Sequence, residues 1–408
     1  MLKERLEKTP YFLNGEREPV YRADVVVFGS GVMGLLLAKK LGDLGQNVVV
    51  VEKTPTVAHE ASIKNHGWLH RGSAHAVSIR DPDQAKSVVK KLIYGHEYIR
   101  SYSPECVADP FEPIFVLTLD PETASRAVET WKDLEVFNRE ISKEHFSELD
   151  SNIRRDLDYF VFQTQDLRIN NRILFQRLVT DIRERGGLVL TGSSYTRDDF
   201  DQVRVSSSRK NLTINSEVFV YCTGNNIAED YQKLTGQELN ISFWKSHLLL
   251  VPQVGPYSVV SLDRNMPIII NHGELSVVNR AYDEAEFNRL DLTLEEEQVR
   301  LAYESLCYLY PAASSLQDQL EAVACAKPTI RLEGQGRHSV SSQIFEPIQN
   351  HYFVLPGKMT EAPYVADEVI QHIYSKLDFE EITQRPVDRF DRQKARGEQP
   401  EVKTFSRL

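Results

Sequence analysis

The chain has 408 residues, 41% of them hydrophobic and 26% charged, a balance that excludes both a disordered polymer and a membrane-embedded one. Its formal net charge of -11 argues against bulk nucleic-acid binding, and the basic pairs Lys39-Lys40 and Lys90-Lys91 fall inside helical patterns that read as solvated faces. The length exceeds one small core and predicts two domains, or one domain carrying a large insertion.

The stretch "VVVFGSGVMGLLLAKKLG" starts as a short β-branched strand, passes Gly29, Ser30, Gly31 and Gly34 in G-x-G-x-x-G spacing, and continues as a helix that stops at Gly45. "NVVVVEK" follows as a second buried strand ending on Glu52, which completes a βαβ unit. Next come a helix in "DQAKSVVKKLIYGHEYIRSY", a strand in "PIFVLTLD", a helix opened by Pro121, and a shorter one in "SKEHFSELD". "YFVFQTQDLRINNRILFQRLVTDIRERGGLVLTGSSY" reads as strand, turn, long helix and strand. Two short strands then precede "EVFVYCTG", an apolar strand ending on Gly224. Residues 240–280 read as an antiparallel sheet, followed by a helix in "LTLEEEQVRLAYESLCYLY". The last ordered unit, "HYFVLPGKMTEAPYVADEVIQHIYSKL", is strand, turn and helix, with Thr360 placed to cap the helix.

This order predicts an α/β fold with an added antiparallel sheet. Residues 22–105, 150–235 and 325–378 assemble a Rossmann-like domain with a mostly parallel sheet. Residues 106–149 and 236–324 form a strand-rich substrate domain, and 379–408 a charged tail.

The glycine spacing has a chemical use. Gly29 takes a tight turn, Gly31 lets the backbone approach a pyrophosphate, and Gly34 brings helix and strand together. Val32 and Met33 open the helix, whose N-terminus offers N–H groups and a positive dipole. Glu52, 18 residues past Gly34 and followed by Lys53, is placed to accept hydrogen bonds from an adenosine ribose. That fingerprint does not separate NAD from FAD. Two further glycine-ended strands, at Thr223-Gly224 and at Gly357-Lys358, favour FAD, because a second helix N-terminus and a lysine would stabilise the negative charge of a reduced flavin.

Cys106, Cys222, Cys307 and Cys325 are far apart and include no C-x-x-C pair, so neither a zinc ribbon nor a disulfide framework is expected. A reducing, cytoplasmic compartment is the simpler expectation. "MLKERLEKTP" lacks the apolar core of a secretory signal. The apolar run Val25–Ala38 is shorter than the ~20 residues of a membrane span and is broken by glycines.

Several of these pieces carry a family resemblance: "VVVFGSGVMG" with Glu52, "ASIKNHGWLHRG", "TQDLRINNRILFQRLV", "VYCTG" and "PGKMTEAPYVADEVI", in that order over about 350 residues. Together they resemble the D-amino-acid oxidase (DAO) superfamily of FAD-dependent oxidoreductases, and most of all its glycerol-3-phosphate and L-2-hydroxyglutarate dehydrogenase branch. The resemblance implies FAD held by the glycine loop and Glu52, with Ser62, Asn65 and Gly67 along the flavin. Gly357, Lys358, Met359 and Thr360 would meet the flavin's pyrimidine end. It also implies hydride transfer to flavin N5 from a C–H next to a hydroxyl or amine, on a hydroxy acid, amino acid, amine or polyol phosphate. The electron acceptor (O₂, a quinone or a protein) and the oligomeric state are not legible. Where many relatives have Gly-x-Arg-Pro, with the arginine on the substrate's anion, this chain has Lys327 before Pro328, and Arg331 is the alternative cation.

His59, His66, His70 and His75 cluster, but Gly67 and Gly72 interrupt any helix that would align them on a metal. His70 is a candidate proton relay and His66 a candidate flavin attachment point. On the sheet that roofs the flavin, His247, His272 and Arg280 are candidates whose facing depends on strand register; Trp244 and Tyr310 read as core residues or pocket walls. No G-x-S-x-G elbow supports a hydrolase. Two alternatives to a flavin enzyme stay open: an NAD(P)-dependent reductase, and a nucleotide-binding interaction protein without turnover.

Overall fold

Val25–Phe28 and Val48–Val51 are four-residue apolar runs buried on both faces, the pattern that central strands of a parallel sheet require. The computed structural model describes residues 12–13, 16–17, 20–107, 112–198, 202–207, 211–281, 285–330 and 342–376. In it these two strands lie inside a six-stranded sheet ordered Leu188–Leu190, Val48–Val51, Val25–Phe28, Val218–Tyr221, His351–Leu355, Gln343–Ile348. The first five run parallel and the last is antiparallel. Strand order reverses beside Val25–Phe28, so the carboxyl ends of three central strands open on one crevice, where such sheets bind ligands.

One face of this sheet packs on the helices Val32–Asp43, Asn171–Glu184 and Ala362–Lys376 through Leu35, Leu36, Leu174, Leu178, Val365 and Val369. The other face, carrying Phe28, Tyr221 and Phe353, packs on Val203, Val205 and Ile214 of a small four-stranded sheet. Helix Pro82–Tyr102 starts where Asp81 accepts the Gln84 N–H ahead of a proline, and it covers Val32–Asp43. Lys39 and Lys40, expected on a solvated face, are therefore buried. Lys40 Nζ lies 2.7 Å from Asp367 of helix Ala362–Lys376 and 4.2 Å from the Tyr98 ring centroid, which joins the two helices by an ion pair walled with tyrosine.

The second sheet has nine strands. Period-two alternation sorts its residues: Ile114, Val116, Phe162, Val260 and Ile270 join Trp68 and Trp131 on one face. Phe115, Leu117, Val161, Val259 and Ile269 meet Leu306, Leu309 and Tyr310 on the other.

Two strands sit in a different sheet from the one their sequence position suggests. Phe160–Gln163, grouped by sequence with the first unit, pairs with Ile114–Thr118 of the second sheet. Glu321–Ile330 pairs antiparallel with Ile241–Leu250, although residues from 325 onward were expected in the first unit. Hydrogen-bond partners decide sheet membership, and an apolar pattern does not state them. The 379–408 tail and Arg331 lie outside the described residues.

Candidate active site

The first turn is built by missing side chains. Gly29 has φ +92°, and a Cβ there would lie 2.5 Å from the Cys222 carbonyl oxygen; a Cβ on Gly34 would lie 2.0 Å from the Gly29 oxygen. Strand, neighbouring strand and helix meet this closely only without side chains. Gly31 faces a cleft of about 520 Å³ together with Val32 and Met33, and Ser62 Oγ accepts the Val32 N–H at 3.0 Å.

Glu52 closes one end of the cleft. Its Oε2 accepts the Ser30 N–H (2.9 Å) and hydroxyl (2.7 Å), and its Oε1 accepts the Thr54 N–H and hydroxyl (2.8 Å each). The two backbone donors fix the carboxylate, while the two hydroxyls can rotate away in favour of ligand hydroxyls. Lys53 donates to Asn226 Oδ1 at 2.9 Å, beside Thr223 and Gly224 on the same stretch of wall.

The loop after Ser62 is pinned by Asn65, whose Oδ1 accepts the Gly67 N–H (2.8 Å) and an Asn171 amide N–H (3.0 Å) while its Nδ2 donates to Ala61 and Ser62 carbonyls. Asn65 lines the cleft; Gly67 is held behind it. His66 Nε2 lies 2.8 Å from Asn279 Oδ1. Gly357, Lys358 and Met359 line the far end. Thr360 is fully buried, and its hydroxyl accepts the His70 backbone N–H at 3.2 Å, so it ties the histidine loop to the turn.

His70 stands in the cleft with its ring 4.0 Å from that of Trp68 and edge-on to His75 at 4.6 Å. Among the described residues its Nδ1 is buried without a partner, while the ring lines the cleft. Burial first, then the charges of Lys358 and Lys327, hold the imidazole well below its ordinary pKa, so the ring is neutral. Lys327 lines the same end, directly across the strand pair from Trp244, and makes no ion pair or hydrogen bond among the described residues.

Strand register corrects the other roof candidates. Trp244 faces the cleft, so His247, three positions on, faces away; its Nε2 accepts the Glu295 N–H at 3.2 Å. Arg280 also points away, donating to Gln298 at 3.3 Å, whereas its neighbours Asn279 and Ala281 face in. His272 braces the loop, with Nε2 2.6 Å from the His66 carbonyl oxygen, and Tyr310 is a core residue whose hydroxyl donates to Asp150 at 2.7 Å. The sequence reading missed Asn279, Ser261 and Ile268 at the reacting end and Tyr195 and Asp230 at the other. Parity carried the signal for Asn279 and Ala281, but only once one residue of the sheet was known to face in.

The described residues fit a long dinucleotide. Bare glycine backbone and a helix N-terminus suit a pyrophosphate, Glu52 suits a ribose, and the Gly357–Met359 turn with Lys358 suits an electron-rich ring edge.

A sequence profile described as FAD dependent oxidoreductase (DAO) matches residues 24–371. Among solved structures, glycine oxidase from Geobacillus kaustophilus is similar, with a TM-score of 0.71 and 14% identity over 88% of this chain and 96% of that one. L-proline dehydrogenase from P. horikoshii gives 0.70 and 16% over 88% and 95%. L-alpha-glycerophosphate oxidase from Mycoplasma pneumoniae, with FAD bound, gives 0.65 and 14% over 86% and 94%. At these identities the shared property is the fold. No curated protein sequence matches.

Proposed function

The chain belongs to the FAD dependent oxidoreductase (DAO) family, and on that premise we propose that it oxidises a small carboxylate-bearing substrate, a 2-hydroxy or 2-amino acid, at the C–H beside its hydroxyl or amine. Membership decides between the two dinucleotides considered from sequence: the cofactor is FAD. When bound, FAD supplies the two-electron chemistry, accepting a hydride at N5.

The observation that carries the substrate class is Lys327, a cation facing the cleft without a counter-ion among the described residues. A carboxylate there gains a charge-assisted hydrogen bond in a partly desolvated setting. Trp244, directly across from Lys327, walls that position and excludes water. Neutral His70 Nε2 takes the proton that leaves the substrate's hydroxyl or ammonium as the C–H bond breaks. Burial and the two neighbouring lysines keep it unprotonated for this role. Glycine oxidase and the glycerophosphate oxidase share this fold with similar TM-scores, so the overall shape does not choose between an amine and a polyol phosphate. A lysine offers a point charge, which suits a carboxylate as well as a phosphate.

An anaerobic panel of 2-hydroxy acids, 2-amino acids, neutral amines and polyol phosphates, read as loss of flavin absorbance, tests the class directly. Lys327→Met should lower kcat/KM for the reactive acid by ~10- to 100-fold, the loss of one charge-assisted hydrogen bond of roughly 1.5–3 kcal/mol, with FAD content unchanged. Bleaching by a neutral amine that is indifferent to Lys327→Met would overturn the acid reading. No bleaching by any compound would return the protein to the class of flavin-binding proteins without turnover.

A further inference from the structure

The turn after Gly357 carries an acid that the reaction above does not use. Glu361 is fully buried, and among the described residues no side chain donates a hydrogen bond to its carboxyl oxygens; the one donor directed at them is the Ser342 backbone N–H. Helix Pro82–Tyr102 seals it from behind: a Cβ on Gly95 would lie 1.6 Å from the Thr360 carbonyl oxygen. The groups facing the carboxyl come from every element packed on it, namely Lys358 of the same turn, Lys91 of the sealing helix, Glu368 of the last helix, and the Ser342 backbone N–H. The carboxyl is pushed up to about 7, with burial, and then Glu368, raising it against the opposing pull of Lys358, Lys91 and the Ser342 N–H. Lys91 is itself held, 2.7 Å from Ser342 Oγ and 3.3 Å from Glu368. A sealed carboxyl without a side-chain partner among the described residues is a group whose charge is set by what happens nearby, and Lys358, the largest charge acting on it, lines the cleft.

We propose that Glu361 is the proton store of the reacting end, binding one proton when FAD is reduced and releasing it when FAD is reoxidised. This rests on the reading that places the flavin's pyrimidine edge at Gly357–Met359. A hydride brings two electrons and one proton, so the ring becomes more negative by one charge. A solvent proton then adds to a Glu361 oxygen, forming its O–H bond and cancelling that charge; reoxidation breaks the same bond. Glu361 does not line the cleft and acts through Lys358, so it is a positioning residue whose effect appears in proton counting rather than in contact with substrate.

The midpoint potential of FAD in the holoenzyme, followed by spectroelectrochemistry from pH 5 to 9, counts protons taken up per two electrons. The wild type should take up two around neutral pH and Glu361→Gln one. Equal counts in the two proteins would overturn the proposal. Lys91→Met, which leaves the carboxyl in place, should move the two-proton window to higher pH; an unmoved window would also overturn it, and this variant decides the matter if Glu361→Gln does not load FAD. A potential unchanged by Lys358→Met would instead remove the flavin placement, and the proposal with it.

Discussion

The two ends of the cleft were made differently by the chain. The nucleotide end is built chiefly on one contiguous βαβ unit, Val25 to Glu52, in which turn, helix and acid follow one another within 28 residues. The reacting end gathers His70, Trp244, Asn279, Lys327 and Lys358 from separate segments, several of them brought together by strand pairing in the second sheet. Local chemistry therefore specifies the first end, and tertiary register specifies the second. A substitution at the first should act on cofactor retention and one at the second on turnover.

The largest test of that division is Gly34→Val. Its Cβ would collide with the Gly29 carbonyl oxygen at 2.0 Å, where no flexible side chain can yield, so FAD binding should be lost. Flavin absorbance after dialysis measures it, and retention of FAD would break the comparison at its nucleotide end.

Next in size is a stability effect behind the reacting end. Folded, Glu361 keeps its proton up to about pH 7; unfolded, it loses it near the ordinary 4.5. The folded chain therefore binds more protons between those values, and its stability falls as pH rises through that window. Glu361→Gln cannot ionise, so it should be more stable than wild type at pH 8 by on the order of 3 kcal/mol, with the difference fading toward pH 4.5. Urea unfolding at the two pH values reads it, and a pH-independent difference would show that the carboxyl titrates in the folded chain as it does in the unfolded one.

The smallest expected effect sharpens the contrast within the second sheet and its neighbouring loop. His70→Gln should lower kcat/KM at least ~10-fold with full FAD content, as loss of a general base does. His247→Gln, on the far face, should stay within about twofold, because its Nε2 accepts the Glu295 N–H and its side chain does not line the cleft. Equal losses from both variants would mean that the imidazole of His70 moves no proton.

The same division explains what was legible beforehand. The family, the FAD cofactor and the mixed α/β fold rest on short-range patterns: four-residue apolar strands, glycines that cannot be replaced, an acid at a strand end. Lys327 was legible as a departure from Gly-x-Arg-Pro. His247 and Arg280 were misplaced because a one-residue change of register exchanges the two faces of a strand, and nothing local reports which face is covered. Glu361 was not singled out, since the helix Pro82–Tyr102 that seals it lies some 260 residues earlier in the chain. Phe160–Gln163 went to the wrong sheet for a related reason: an apolar run does not name its partners, which are Ile114–Thr118 and Arg139–Ile141.

The Lys40–Asp367 pair has a consequence for how a ligand is measured. The helix beginning at Val32 starts at the glycine turn proposed for the pyrophosphate, and the helix beginning at Ala362 starts just past the Gly357–Met359 turn proposed for the flavin ring. Locking these two rods side by side, with Tyr98 over the ammonium, makes them the two jaws of a gauge whose opening is set from behind. A molecule with the right groups at the wrong separation would then be rejected by length, at a point that touches no part of it.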